Sequence, residues 1–145
     1  MSNVRFFLVL FFMFSGFLHG FSASYRQKFD SVVEELRKQS FVNDSEARIL
    51  VKQMSEIASE HLYLLPLSLY WESFVNYAQG KFDVQINSKI CSHLKIFNEK
   101  DYHPFENALL YHSLALNDAI IRNYTDCFTS ALKALSIYKQ INNNS

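Results

Sequence analysis

From residue 25 onward the apolar residues of this chain recur at intervals of three and four, the spacing of a buried helix face rather than the alternation of a strand. Tyr25, Phe29, Val32, Val33 and Leu36 form the first stripe, with Arg26, Lys28, Glu34, Glu35 and Arg37 off it. Ala47, Leu50, Met54, Ile57 and Ala58 form a second; Asn43 is placed to cap its helix, and Glu46 stands three residues on to complete a capping box. Pro66 suits the start of a third helix, carrying Tyr70, Trp71, Phe74 and Ala78, and Gly80 suits its end. Phe82, Ile86, Ile90, Leu94 and Phe97 mark a fourth. After the polar stretch from Asn98 to His103, Pro104 opens a fifth with Ala108, Tyr111, Leu114 and Ala115 on its stripe, and Tyr124 to Tyr138 make a sixth. The expected fold class is all-α, about six helices in antiparallel hairpins.

The segment before these stripes has a different character. Arg5 is followed by an apolar run from Phe6 to Phe17, then by small residues, which is the order of a signal peptide. The run is broken at Ser15 and Gly16 and falls short of the ~20 apolar residues a spanning helix needs. Cleavage after Ser22 or after Ser24 fits the small residues at Gly20, Ser22 and Ser24; retention as a signal anchor is the competing reading. The expected organisation is therefore residues 1–24 as signal peptide, 25–62 as an N-terminal hairpin serving as cap or degenerate repeat, and 63–145 as two further hairpins. The location follows as exported, periplasmic or secreted, with no stable membrane span after cleavage.

Part of the chain repeats. Leu94 to Asn98, LKIFN, returns as LSIYK at Leu135 to Lys139, and the turn from Gly80 to Asp83 returns, about one residue out of register, from Arg122 to Asp126. In the second copy Tyr111 takes a large aromatic position, Leu114 and Ala115 a close-packing pair, Tyr124 the turn aromatic, Cys127 a small position, and Ala134 with Leu135 the closing pair. With these residues the stretch resembles the tetratricopeptide repeats, in the variant whose period is about 40 rather than 34. Asp118 stands where that pattern has an aromatic and Arg122 where it has the turn glycine, so a somewhat different turn is expected there. In the first copy Tyr70 or Trp71 fills the aromatic slot and Gly80, Phe82 and Asp83 match the turn, while Ser73 and Gln85 depart from it. The resemblance implies hairpins stacked as a short solenoid whose first helices line a concave side. The whole also resembles the extracytoplasmic front end of bacterial regulators and sensors built from such repeats, which implies that the chain is a truncated relative or a fragment of a longer regulator.

Composition narrows the function. Lys plus Arg equals Asp plus Glu, 14 against 14, so no basic surplus invites a phosphate backbone, and nucleic acid is not an expected partner. Three Gly leave no material for a phosphate-cradling loop, and two Cys cannot staple a disulfide scaffold or fill a cysteine-rich zinc site. His61, His93, His103 and His112 share no metal-ligand spacing; His103 and Glu106 meet across one turn as a helix start would place them. Cys91 and Cys127 are expected as unlinked thiols. No catalytic residue, cofactor or metal is expected. Asn43, Asn123 and Asn143 begin glycosylation sequons, which carry meaning only in a eukaryotic secretory pathway.

The expected activity is non-enzymatic: binding of a protein or peptide on the concave face, with Asn76, Tyr77, His112 and Asp118 as facing residues. The second reading is a helical bundle holding a small lipophilic ligand in a cavity lined by Phe74, Ile90 and Tyr111. On the sixth helix the apolar arc is wider than an end helix needs, with Leu132 and Ile137 to either side of the main stripe. An uncapped face and weak self-association are expected there.

Overall fold

The structure, a computed structural model, describes residues 24–39 and 44–143, and every regular element among them is helical. The order is α1 (24–38), α2 (Asp44–Glu60), α3 (Leu65–Ala78), α4 (Val84–Leu94), α5 (Pro104–Ile120) and α6 (Tyr124–Asn143), with single 3-10 turns at Leu62–Leu64 and Glu99–Asp101. The fold class is thus all-α. The expected signal peptide and the Asn43 cap lie outside the described residues.

From α2 onward each helix packs on its successor, and α3 also packs on α5. One core runs through them, from Phe29 and Leu36 of α1 through Met54, Leu64 and Leu94 to Leu110 and Leu114 of α5. Pro66 sits in the first turn of α3 and Pro104 in that of α5, where a missing N–H costs nothing. Asp83 caps α4, its carboxylate accepting the backbone N–H groups of Gln85 and Ile86 at 2.8 and 3.0 Å.

Two hairpin turns answer to the repeat read in the sequence. After α3, Gly80 adopts φ +68 and the N–H groups of Gly80 and Lys81 donate to the carbonyls of Tyr77 and Asn76, both at 2.9 Å. After α5, Arg122 adopts φ +64 and the N–H groups of Arg122 and Asn123 donate to Ala119 and Asp118 at 3.1 and 2.8 Å. Both are left-handed caps of Schellman type. The second turn is shorter. Helix α6 starts directly after Asn123, whereas Phe82 and Asp83 intervene before α4.

Two stripes differ from expectation. Phe82 precedes α4 and packs on Tyr77 at 5.6 Å between ring centroids, and Ile86 is exposed. The inward position on the first turn of α4 belongs to Asn87. On α6 the packed side carries Cys127, Ser130, Ala134, Ile137 and Tyr138, while Tyr124, Phe128, Leu132 and Leu135 face solvent.

Candidate functional site

Three helices, α1, α3 and α5, border an open groove of about 340 Å³. Its floor is Phe29, Leu67 and Trp71, all buried in their own helices' packing, and its sides include Val33 of α1 with Phe105 and Leu109 of α5. The rim is charged: Arg26, Asp30, Glu34 and Arg37 from α1, and Glu106 from α5. Apolar floor and charged rim follow from helical periodicity, because Leu67 and Trp71 are four apart on α3, as are Phe105 and Leu109 on α5.

Glu106 joins the two sides. One carboxylate oxygen accepts the His103 backbone N–H at 3.0 Å, closing the start of α5, and the other pairs with the Arg26 guanidinium of α1. Arg26 also donates to Asp30 at 2.9 Å. Burial by itself lowers the Arg26 guanidinium, but its hydrogen bonds to Glu106 and Asp30 outweigh this and hold it above its ordinary value. Arg37 reaches Glu34 of its own helix at 3.2 Å. In the α3 aromatic cluster, Tyr70 and Trp71 meet edge-on at 5.0 Å and Phe74 lies 5.8 Å from Trp71. Burial pushes the Tyr70 hydroxyl up to about 12. The cluster packs the interior, and Trp71 also lines the groove.

The residues expected to face a partner separate into groups. His112 is exposed and continues the row Phe105, Leu109 along α5; Tyr77 is exposed at the end of α3. Asn76 continues instead the row Leu65, Leu69, Glu72, on the side of α3 turned away from the groove. Asp118 is corrected outright, because it is wholly buried. Its Oδ1 accepts Asn123 Nδ2 at 3.2 Å and lies 3.8 Å from Lys95 Nζ. Lys95 in turn binds Asp126 at 2.7 Å, so the group ties the ends of α4 and α5 to the start of α6. Asn123 Nδ2 also donates to Asp126 at 2.8 Å, bonds that a sugar on this nitrogen would displace.

Beside this group lies a polar interior that the apolar pattern did not disclose. Asn117 Nδ2 donates to Ser73 Oγ at 2.8 Å and to the Ser113 carbonyl at 2.7 Å, and Asn117 Oδ1 accepts from Asn87. All four residues are buried, and they hold α3, α4 and α5 in one register. Of the buried polar residues Asp118 alone carries a signal in the sequence, its position four residues after Leu114 on the apolar stripe. A polar residue on such a stripe is carried inside with its partners. Cys91 is buried here, and burial, with Asp118 nearby, pushes its thiol up to about 12, away from nucleophilic use. Cys127 is half-buried, and both thiols are unlinked.

The three residues expected around a lipophilic cavity are engaged separately. Phe74 packs on Tyr70 and Trp71, and Tyr111 packs on Phe97 and donates to Glu99. Ile90 borders a second depression of about 420 Å³, on the other side of α3, with Leu65, Leu69, Ile86, Glu72, Lys89 and His93. Desolvation raises the Glu72 carboxyl above its ordinary value, with Lys89 opposing.

Among the described residues no helix is long and apolar enough to cross a membrane, and no three His, Cys, Asp or Glu side chains converge as metal ligands. Compared with protein-family models, curated proteins and solved structures, the chain matches none.

Proposed function

We propose that this protein is a non-enzymatic helical-repeat module that holds a segment of another protein in the groove between α1, α3 and α5. One observation carries the reading: alternate helices contribute to a single groove with Leu67 and Trp71 at its base and charge at its edges. An apolar side chain of a bound segment gains about 1.5–3 kcal/mol on leaving water, and the rim charges fix its direction. The packing of each hairpin on the next, with α3 against α5, supports stacking as a short solenoid of the tetratricopeptide kind, with α1 and α2 as the first hairpin. The apolar run after Arg5 supports export and work outside the cytoplasm.

Selection from a random peptide library tests the groove. Binders selected on the protein should lose at least tenfold in affinity to the Phe105→Ser and Arg37→Ala variants while the melting temperature stays nearly constant. If the variants hold the selected peptides as well as the parent does, the groove is not the binding surface. A second reading, a small lipophilic ligand, is favoured by the depression walled by Leu65, Leu69, Ile86 and Ile90, whose volume falls within the range of small-molecule sites. Saturable binding of a fluorescent fatty acid, lost on Leu69→Asp, is the result that would move the assignment there.

A further inference from the structure

The outer side of α6 carries a row of large apolar side chains that its own fold leaves in water: Tyr124, Phe128, Leu132 and Leu135 are 67, 65, 51 and 49% exposed. The inner side packs on α5, with Ala134 as its only fully buried residue. Tyr124, Phe128, Ala131 and Leu135 are spaced four, three and four apart, the interval of a seam that stays in contact with one straight neighbouring helix, and Leu132 widens it.

We propose that α6 pairs with α6 of a second copy of this chain, antiparallel and about a two-fold axis near residue 130. Three features of the row select a second copy over a different partner. In the antiparallel arrangement its bulky end meets its slimmer end, Phe128 against Leu132 of the partner and Tyr124 against Leu135, so the surface is complementary to itself, as a two-fold contact requires. Its neighbouring side chains Thr125, Thr129 and Ser136 are small and uncharged. The charged residues of the central turns, Asp126 and Lys133, are turned back to their own fold, Asp126 on Lys95 at 2.7 Å and Lys133 on Glu99 at 3.4 Å. Over these central turns nothing repels an identical copy; the exposed Lys139, one turn beyond Leu135 on the same side, falls past the paired residues. The four side chains offer roughly 400–500 Å² per copy, against about 800 Å² per partner in a stable specific interface. The pairing is therefore weak and reversible.

Complementary variants test both the contact and its direction. In sedimentation equilibrium the wild-type protein should show a concentration-dependent dimer, and Phe128→Lys alone or Leu132→Glu alone should weaken it at least tenfold. In the proposed register an equimolar mixture of the two variants restores one Phe128–Leu132 contact and sets Lys opposite Glu at the other, so the mixture should dimerise within about threefold of wild type. Dilution of the wild type, followed by NMR, provides a readout without substitutions: shifts should concentrate at Tyr124, Phe128, Leu132 and Leu135. A wild-type chain monomeric to millimolar concentration overturns the proposal, as do dilution shifts confined to other surfaces. Variants that dimerise like the parent, or a mixture that fails to recover, overturn the antiparallel α6 pairing.

Discussion

Helices α5 and α6 are joined by a tight turn and carry similar apolar periodicity, yet they are buried to very different degrees. Helix α5 has Leu110, Ser113, Leu114, Asn117 and Asp118 inside, touched by α3 and α4 as well as α6, whereas α6 packs on α5 and buries only Ala134 fully. What separates them is the number of neighbours around each helix, not the pattern along it. A stripe records which side of a helix is apolar; it does not record whether something covers that side.

The strongest test of this difference is Leu110→Ala. Leu110 is wholly buried, so the substitution removes its transfer energy and leaves a cavity, at an expected cost of about 2–5 kcal/mol. Urea denaturation measures it, and a loss under 1 kcal/mol would mean that α5 is not the covered helix. Asn117→Ala comes next, at roughly 2–3 kcal/mol, because it strands the Asn87 amide and takes away the hydrogen bond to Ser73 in a dry interior. Replacing Asn117 by Asp, which keeps the acceptor and loses the donor, should rescue little of that loss.

The two helices also show what could be read from the sequence. Helix existence, the two prolines at helix starts and the left-handed turn at Gly80 follow from local chemistry and were legible. The repeat sets Arg122 opposite Gly80, but the different turn expected from the missing glycine is not found at the cap: Arg122 takes the same left-handed conformation, and only the connection after it is shorter. Asp118 is buried because its register with Leu114 puts it on the stripe, although its polarity alone points to the surface. Asn87, Asn117, Ser73 and Ser113 were invisible, because a buried polar network depends on partners 30 or 44 residues away that no single helix pattern contains. The groove was not legible: none of Asn76, Tyr77, His112 and Asp118 lines it, and the Arg26–Glu106 link that draws α1 to α5 spans 80 residues.

Alkaline titration probes the same covered region. The hydroxyls of Tyr70, Tyr102 and Tyr111 are pushed by burial from 10.0 up to about 12, and the Cys91 thiol from 9.0 up to about 12. Between those values the unfolded chain releases protons that the native chain retains. Stability is therefore whole below about pH 9 and declines as pH rises toward 12. The urea midpoint should fall steadily across that interval, and a flat profile would show these groups to be open to water in the fold. Native-state alkylation near pH 8 should modify Cys127 well before Cys91.

The turns supply a smaller effect with a definite sign. Arg122 holds a left-handed conformation that costs an L side chain about 1–2 kcal/mol, part of which glycine returns as unfolded-state entropy. Arg122→Gly should therefore stabilise by about 0.5–1 kcal/mol, and Gly80→Ala should destabilise by about 1 kcal/mol. Opposite signs for exchanges at equivalent turns would place both residues in the same cap, while a destabilising Arg122→Gly would show that the arginine side chain outweighs its backbone strain.

The smallest expected effect closes the comparison. Leu132→Ala makes on α6 the same chemical change as Leu110→Ala on α5, but Leu132 is 51% exposed, so about half of its transfer energy was never gained and no enclosed cavity is left. Alanine also fits a helix slightly better than leucine, which offsets part of what remains. The net loss in dilute solution should stay below about 1 kcal/mol, several-fold less than at position 110. Concentration then separates fold from association: if α6 pairs with a second copy, the cost of Leu132→Ala should grow as protein concentration rises, because the wild type alone gains stability from pairing, while the cost of Leu110→Ala should hardly change. Equal concentration dependence for the two variants would mean that Leu132 contributes nothing beyond its own chain.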